Sequence, residues 1–249
     1  MIKEDFKNPI LASVAATFPM ALMLLSTYIK PFIGVGAKYI WYFAIGLHII
    51  LIVYFTIKFL LKLQMPKVFA SYFIVYVGIA VAAVTAPAFE ELAIGAGAFW
   101  FGFLTLIGLL VLVTIRYMKY KEIPEPAKPL FCIYAAPTSL CVAGYVQSVT
   151  PKSREFLLAM LLVATVLYVL ALVKAISYLK LKFYPSYAAF TFPFVISAIA
   201  TKQTMVCLAN MKQPIPMLRY VVLIETVIAV LFMIYTFIRF LQFIFVDHK

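Results

Sequence analysis

The chain has 249 residues, of which 66% are hydrophobic and only 12% charged. Its strongly positive mean hydropathy excludes a water-soluble domain, because one buried core cannot hide that much apolar surface. The formal net charge of +12 bears first on membrane topology and contact with anionic lipid, and only second on an anionic substrate.

A helix rises ~1.5 Å per residue and a bilayer core is ~30 Å thick, so a spanning helix needs roughly 20 mostly apolar residues. Eight runs meet this, near residues 10–29, 38–61, 69–88, 93–115, 129–149, 155–179, 185–204 and 216–244. They are long and continuously apolar, unlike the alternating strands of a barrel. The expected fold is all-α: a polytopic transmembrane bundle of four helical hairpins (about 10–61, 69–115, 129–179 and 185–244) in a single transmembrane domain over 1–249.

The first run follows Lys3 and Lys7, but Pro19 lies mid-run and no small-residue cleavage site precedes Lys30, so it reads as a retained helix and not a signal peptide. The second carries a lone His48, read as a packing or hydrogen-bonding residue before a switch. Cys132, Cys141 and Cys207 fall in apolar runs without a CxxC pair, so neither a disulfide framework nor a zinc site is indicated, and no cofactor is expected. The last run holds Glu225 near mid-membrane, where a charged carboxylate costs ~2.5–3.5 kcal/mol on insertion scales. It reads either as a coupling acid for protons or as a hydrogen bonder between helices.

With eight spans, both termini and the loops after spans 2, 4 and 6 share one side. That side holds 14 of the 21 lysines and arginines, from Lys3 to Lys249, so the positive-inside rule places both termini in the cytoplasm of a cell (plasma or inner) membrane. Lys202 is expected where an inner helix ends on the outer side, with Lys212 and Arg219 nearby. These are candidates for an anion-gathering vestibule, or ordinary interfacial anchors.

An internal repeat runs through the odd-numbered spans. Residues 15–19 read Ala-Ala-Thr-Phe-Pro, residues 189–193 read Ala-Phe-Thr-Phe-Pro and residues 135–137 read Ala-Ala-Pro. Pro19, Gly78 and Pro137 are successively 59 residues apart, and Pro193 follows after 56. Proline removes a backbone donor and glycine removes a side chain, so each marks an expected kink. Odd spans are rich in small residues, as in Val-Ala-Ala-Val-Thr-Ala-Pro at 81–87, whereas even spans are bulky, as in Leu-Leu-Val-Leu-Val at 109–113. The division predicts kinked inner helices around a pore, with an outer ring facing lipid. Phe18 and Thr191, beside the first and last of these prolines, are candidate pore-lining residues.

Tyr184-Pro185-Ser186-Tyr187 followed by Phe190-Thr191-Phe192-Pro193 resembles the last inner helix of the tellurite-resistance/dicarboxylate transporter family. That family includes the plant slow-type anion channel and fungal malate transporters. The segment Tyr134-Ala135-Ala136-Pro137-Thr138-Ser139-Leu140-Cys141-Val142-Ala143-Gly144-Tyr145 resembles the inner helix before it. The resemblance implies homotrimers whose protomers each carry a pore occluded by a phenylalanine, which by motif position is Phe192. It also implies passage of small inorganic anions or carboxylates, through a passive channel or by proton-coupled dicarboxylate or tellurite-resistance transport. The family has five hairpins and this chain four, matching the last four, so the first is expected to be absent.

An enzyme is not expected. Glu90-Glu91 is similar to the paired glutamates of intramembrane CAAX-type proteases, but the accompanying arginine is missing and the only histidines are His48 and His248. No GxSxG, HExxH or phosphate loop is present, and no aromatic-basic surface for nucleic acid.

Overall fold

The computed structural model describes residues 2–245. His248 and Lys249 lie outside the described residues, as does the side chain of Lys3. Among the described residues there are helices and no strands. Seven helices are long and apolar enough to cross a membrane: α1 (Pro9–Ile33), α2 (Gly36–Leu60), α4 (Leu92–Lys119), α5 (Glu125–Ser148), α6 (Arg154–Tyr178), α7 (Pro185–Asn210) and α8 (Leu218–Phe245). The expected third span is not a continuous helix. It is broken into Tyr72–Tyr76 and a shorter apolar helix, α3 (Ala80–Phe89), with Val77, Gly78 and Ile79 between them. The correction has a local cause, since Gly78 sits where the helical ladder stops and Pro87 forces a tight last turn.

Burial separates the two helix sets. In α5 the apolar window is 89% buried and in α7 56%, against 17% in α2 and 22% in α8. The even helices present large exposed apolar side chains, such as Leu162, Val166, Val169 and Val173 on α6, which suits contact with lipid tails.

Contacts divide the chain into two compact units. The first contains the residues up to Lys121 together with Gly144–Lys152, and the second contains Glu122–Ala143 with the residues from Ser153 on. In the first unit α1 packs along α2 and α3 along α4. Small residues set the second of these contacts. A side chain at Gly95 would meet Ser148 Oγ at 2.3 Å and Ala86 Cβ at 2.6 Å, and one at Gly102 would meet Ala80 Cβ at 3.3 Å. Gly95 and Gly102, two turns apart on α4, therefore let the α3 backbone approach closely.

The second unit is built on rings. Phe194 stacks on Phe232 with centroids 4.6 Å apart and receives Tyr168 edge-on at 5.4 Å, while Phe190 packs on Tyr187 and Phe232. Alanines 135, 171, 175 and 229 fill the space between them. Helices α7 and α8 share the most extensive contact in this unit.

Candidate functional site

Each odd helix changes character at the residues singled out by the repeat. In α1 the segment Pro9–Val14 ends at Ala15 and Ala16, and a new helix starts at Thr17, with Pro19 in its first turn. In the broken span, Gly78 lies in the interruption. In α5 a tight 3-10 segment, Glu125–Ala135, passes to α-helix at Ala136, just before Pro137. In α7 the 3-10 turn Pro185–Phe190 ends at Thr191, whose φ of −95° and ψ of −86° lie outside the helical region, and Phe192 begins the α-helix. Pro137 and Pro193 each lack an N–H, so the carbonyls of Ile133 and Ala189 lose their usual donor and the ladder shifts register.

The groups around these interruptions can be followed within each unit. In the first, His48 Nε2 donates to the Val75 carbonyl at 2.9 Å, beside the break. Trp41 Nε1 donates to Thr85 Oγ1 at 2.8 Å, and the hydroxyls of Thr56 and Tyr76 are bonded at 2.8 Å. Trp41, His48 and Thr56 lie about two turns apart on one face of α2, so α2 holds the broken span by three buried or half-buried polar contacts. The Gly78 position is crowded: a Cβ there would come within 2.1 Å of the Ile74 carbonyl oxygen and 2.7 Å of Met20 Sδ. Ser148 Oγ donates to the Ala83 carbonyl at 2.5 Å.

In the second unit the hydroxyls of Ser139 and Ser197 lie 3.0 Å apart, and both reach the Ala135 carbonyl, at 2.9 and 3.2 Å. This pair ties α5 to α7 just after their prolines. Two residues beyond Pro137 and four beyond Pro193, these serines follow the expected kinks in the sequence, which is the signal that could have found them. Thr138 Oγ1 is buried and has no partner among the described residues.

The aromatic residues at the start of α7 divide sharply. Phe190 and Phe194 are fully buried in the ring cluster, whereas Phe192 between them is half-buried and stacks on no other ring among the described residues. Phe18, its counterpart in the repeat, is 60% exposed, and Thr191 is half-buried with its hydroxyl donating to the Ala188 carbonyl.

Of the charged candidates, Lys202 sits differently from expectation. Lys202 is exposed but does not end its helix, because α7 continues to Asn210, and the turn beyond it is made by Lys212 in a left-handed conformation, φ 59°. Arg219 stacks over Tyr220 with its guanidinium carbon 4.5 Å from the ring centroid. Glu225 is buried, 4% exposed, on α8, with the Thr201 hydroxyl of α7 as its side-chain neighbour and one carboxyl oxygen unpartnered. Arg116, one residue beyond the expected span 93–115, lies inside α4 and is 1% exposed. Its guanidinium lies between the Phe69 and Tyr117 rings, 4.5 and 4.9 Å from their centroids, and donates to the Pro66 and Tyr120 carbonyls.

Just before α4, Glu91 accepts from Lys38 Nζ at 2.6 Å and from the Tyr42 hydroxyl at 2.5 Å. The Lys38 amine, and then the Tyr42 hydroxyl, hold the Glu91 carboxyl below its ordinary range. Lys30 Nζ donates to the Ala88 carbonyl of the same connection. Of the glutamate pair, Glu91 is thus a strap between α2 and the start of α4. No group of three or more His, Cys, Asp or Glu placed to hold a metal ion occurs among the described residues.

Among curated proteins no match to the chain is found. The family model described as voltage-dependent anion channel (SLAC1) matches residues 1–241. Interrupted odd-numbered helices, even-numbered helices with exposed apolar side chains and a match over nearly the whole chain lead to one assignment: this multi-pass membrane protein belongs to the SLAC1 family of anion channels and transporters, the tellurite-resistance/dicarboxylate transporter family.

Proposed function

We propose that the protein is a passive channel for small monovalent anions, gated by Phe192, working as a homotrimer in the cell membrane with both termini in the cytoplasm. Family membership supports the class of activity. The observation that carries the gate is local: of three phenylalanines at the start of α7, the two neighbours are consumed by the core and Phe192 alone is left outside it. A ring beside a helix interruption obstructs a narrow path by bulk and by keeping it dry. Pro19, Gly78, Pro137 and Pro193 serve as the kinks of the inner helices, and Phe18 and Thr191 line the path beside them.

The test is anion flux into liposomes under an imposed chloride or nitrate gradient. Phe192→Ala raises the flux severalfold over the parent, while Phe190→Ala, a core residue, destabilises the protein without opening it. Equal flux in the parent and in Phe192→Ala, with both proteins folded, overturns the gate.

A second reading, proton-coupled transport of a C4-dicarboxylate, is favoured by the buried Glu225 carboxyl as coupling acid and by the exposed Lys202 as a cation for the substrate. It predicts flux that needs a proton gradient and disappears in Glu225→Gln.

A further inference from the structure

Buried polar atoms in folded proteins nearly always have partners, so those without one call for an explanation. In the second unit three such atoms stand on three different helices: Glu225 Oε2 on α8, the Tyr168 hydroxyl on α6 and Thr204 Oγ1 on α7. All three residues are at least nine-tenths buried, at 4%, 5% and 0% exposure. Tyr168 interacts electrostatically with Glu225, and Thr201, whose hydroxyl is the carboxyl's side-chain neighbour, lies one turn before Thr204 on the same face of α7. Glu225, Tyr168 and Thr201 thus form a polar island, with Thr204 one turn beyond Thr201, and Tyr168 itself belongs to the aromatic core of Phe194 and Phe232.

Among the described residues no cation pairs with this island. The ion pairs among the described residues are Lys7 with Glu4 and Lys38 with Glu91, both in the first unit. On α8, Arg219 is exposed and stacked on Tyr220, and Arg239 is about four turns beyond Glu225, where it interacts with Tyr187 in the first turns of α7. On α7, Lys202 points to the exposed side and Cys207 is buried. The titratable group of α6 that reaches Glu225 is Tyr168 itself.

The chemistry of the neighbours decides what such a site holds. A carboxylate buried without a cation needs hydrogen-bond donors, whereas a carboxylic acid needs one acceptor for its O–H. Hydroxyls serve both states, because Tyr168, Thr201 and Thr204 can turn to donate to an ionised carboxylate or to accept from a neutral one. A lysine or arginine would fix the charge, and three hydroxyls do not. We infer that Glu225, Tyr168, Thr201 and Thr204 form a buried, reversible proton-binding site, with the proton carried on Glu225 Oε2. Uptake forms one O–H bond on the carboxyl and takes one proton from water, and release returns it. The site is defined by the second unit alone and does not depend on how anions cross.

The test is infrared difference spectroscopy of the full chain in lipid, recorded between acidic and alkaline buffer. The parent shows a carboxylic-acid C=O band that is lost in Glu225→Gln at unchanged helix content, and that band shifts in Tyr168→Phe because the neighbouring hydroxyl dipole has gone. Two results overturn the proposal: parent and Glu225→Gln giving the same spectrum, or a Glu225 carboxylate band that persists through acid, which would mark a permanently ionised group. No flux is measured, so failure here is distinct from failure of the channel reading. If Glu225→Gln does not fold, the Tyr168→Phe shift still decides, since a band unmoved by that substitution contradicts the site.

Discussion

Glu91 shows how a single side chain ties a connection to a membrane helix. Its carboxyl sits at the end of the turn after α3, where Glu90 adopts the left-handed conformation with φ 61°, and accepts from Lys38 and Tyr42 one turn apart on α2. Because the folded protein holds this carboxyl below its ordinary value of 4.5, the strap's stability is fully present above that value and is lost as pH falls through the lower, folded one. Thermal unfolding of the parent in detergent therefore shows a loss of stability on acidification below the ordinary carboxylate range. Glu91→Gln removes that step and is less stable than the parent at neutral pH. A parent and variant that respond identically to acid would show that the strap is too well solvated to matter, as many exposed pairs are. The sequence marked Glu90-Glu91 as a pair without giving it this partner, because Lys38 lies more than fifty residues earlier and only folding brings the two together.

At the scale of elements, the interruption at Gly78 is the feature on which most neighbours converge. His48 supplies the donor for the Val75 carbonyl, and Met20 from α1 occupies the space where a side chain at 78 would go. Gly78→Ala must push against the Ile74 carbonyl and Met20 Sδ, and overpacking of this kind costs about 1–3 kcal/mol. Gly97→Ala on α4 meets nothing within 4 Å and serves as control. It is expected to change stability by less than about 0.5 kcal/mol or to gain slightly from better helix propensity. Midpoints of thermal or denaturant unfolding check both, and equal midpoints would mean that the break relaxes freely. The register of the repeat was legible in sequence because proline and glycine act on the backbone directly. The break of the third span into separate helices was not, because it depends on a histidine and a methionine from two other spans. The serines at 139 and 197 were not legible for the same reason, as they meet across two helices and share the Ala135 carbonyl of α5.

For the whole molecule, the broken third span decides the topology, since seven crossings would leave the two termini on opposite sides and eight leave them on the same side. Physical length favours a crossing. From Tyr72 to Phe89 the segment has 18 residues, about 27 Å if helical throughout, close to the ~30 Å hydrocarbon core. Its contacts favour it too, because Thr85, Val75 and Tyr76 meet Trp41, His48 and Thr56, so the segment runs beside α2 for most of that helix's length. The basic residues agree, falling mainly on the side that eight crossings assign to the cytoplasm. Two exposed positions separate the alternatives: Gln64 in the connection before the broken span and Gln213 in the turn between α7 and α8. Five crossings lie between them if the third span traverses, four if it does not. Cysteines placed singly at these positions, treated with a membrane-impermeant maleimide on intact cells, are expected to react at 213 and to stay unlabelled at 64 until the membrane is opened. The native cysteines 132, 141 and 207 are buried and contribute little background. Labelling of both positions from one side would make the third span re-entrant, and the positive-inside assignment of at least one terminus would fall with it.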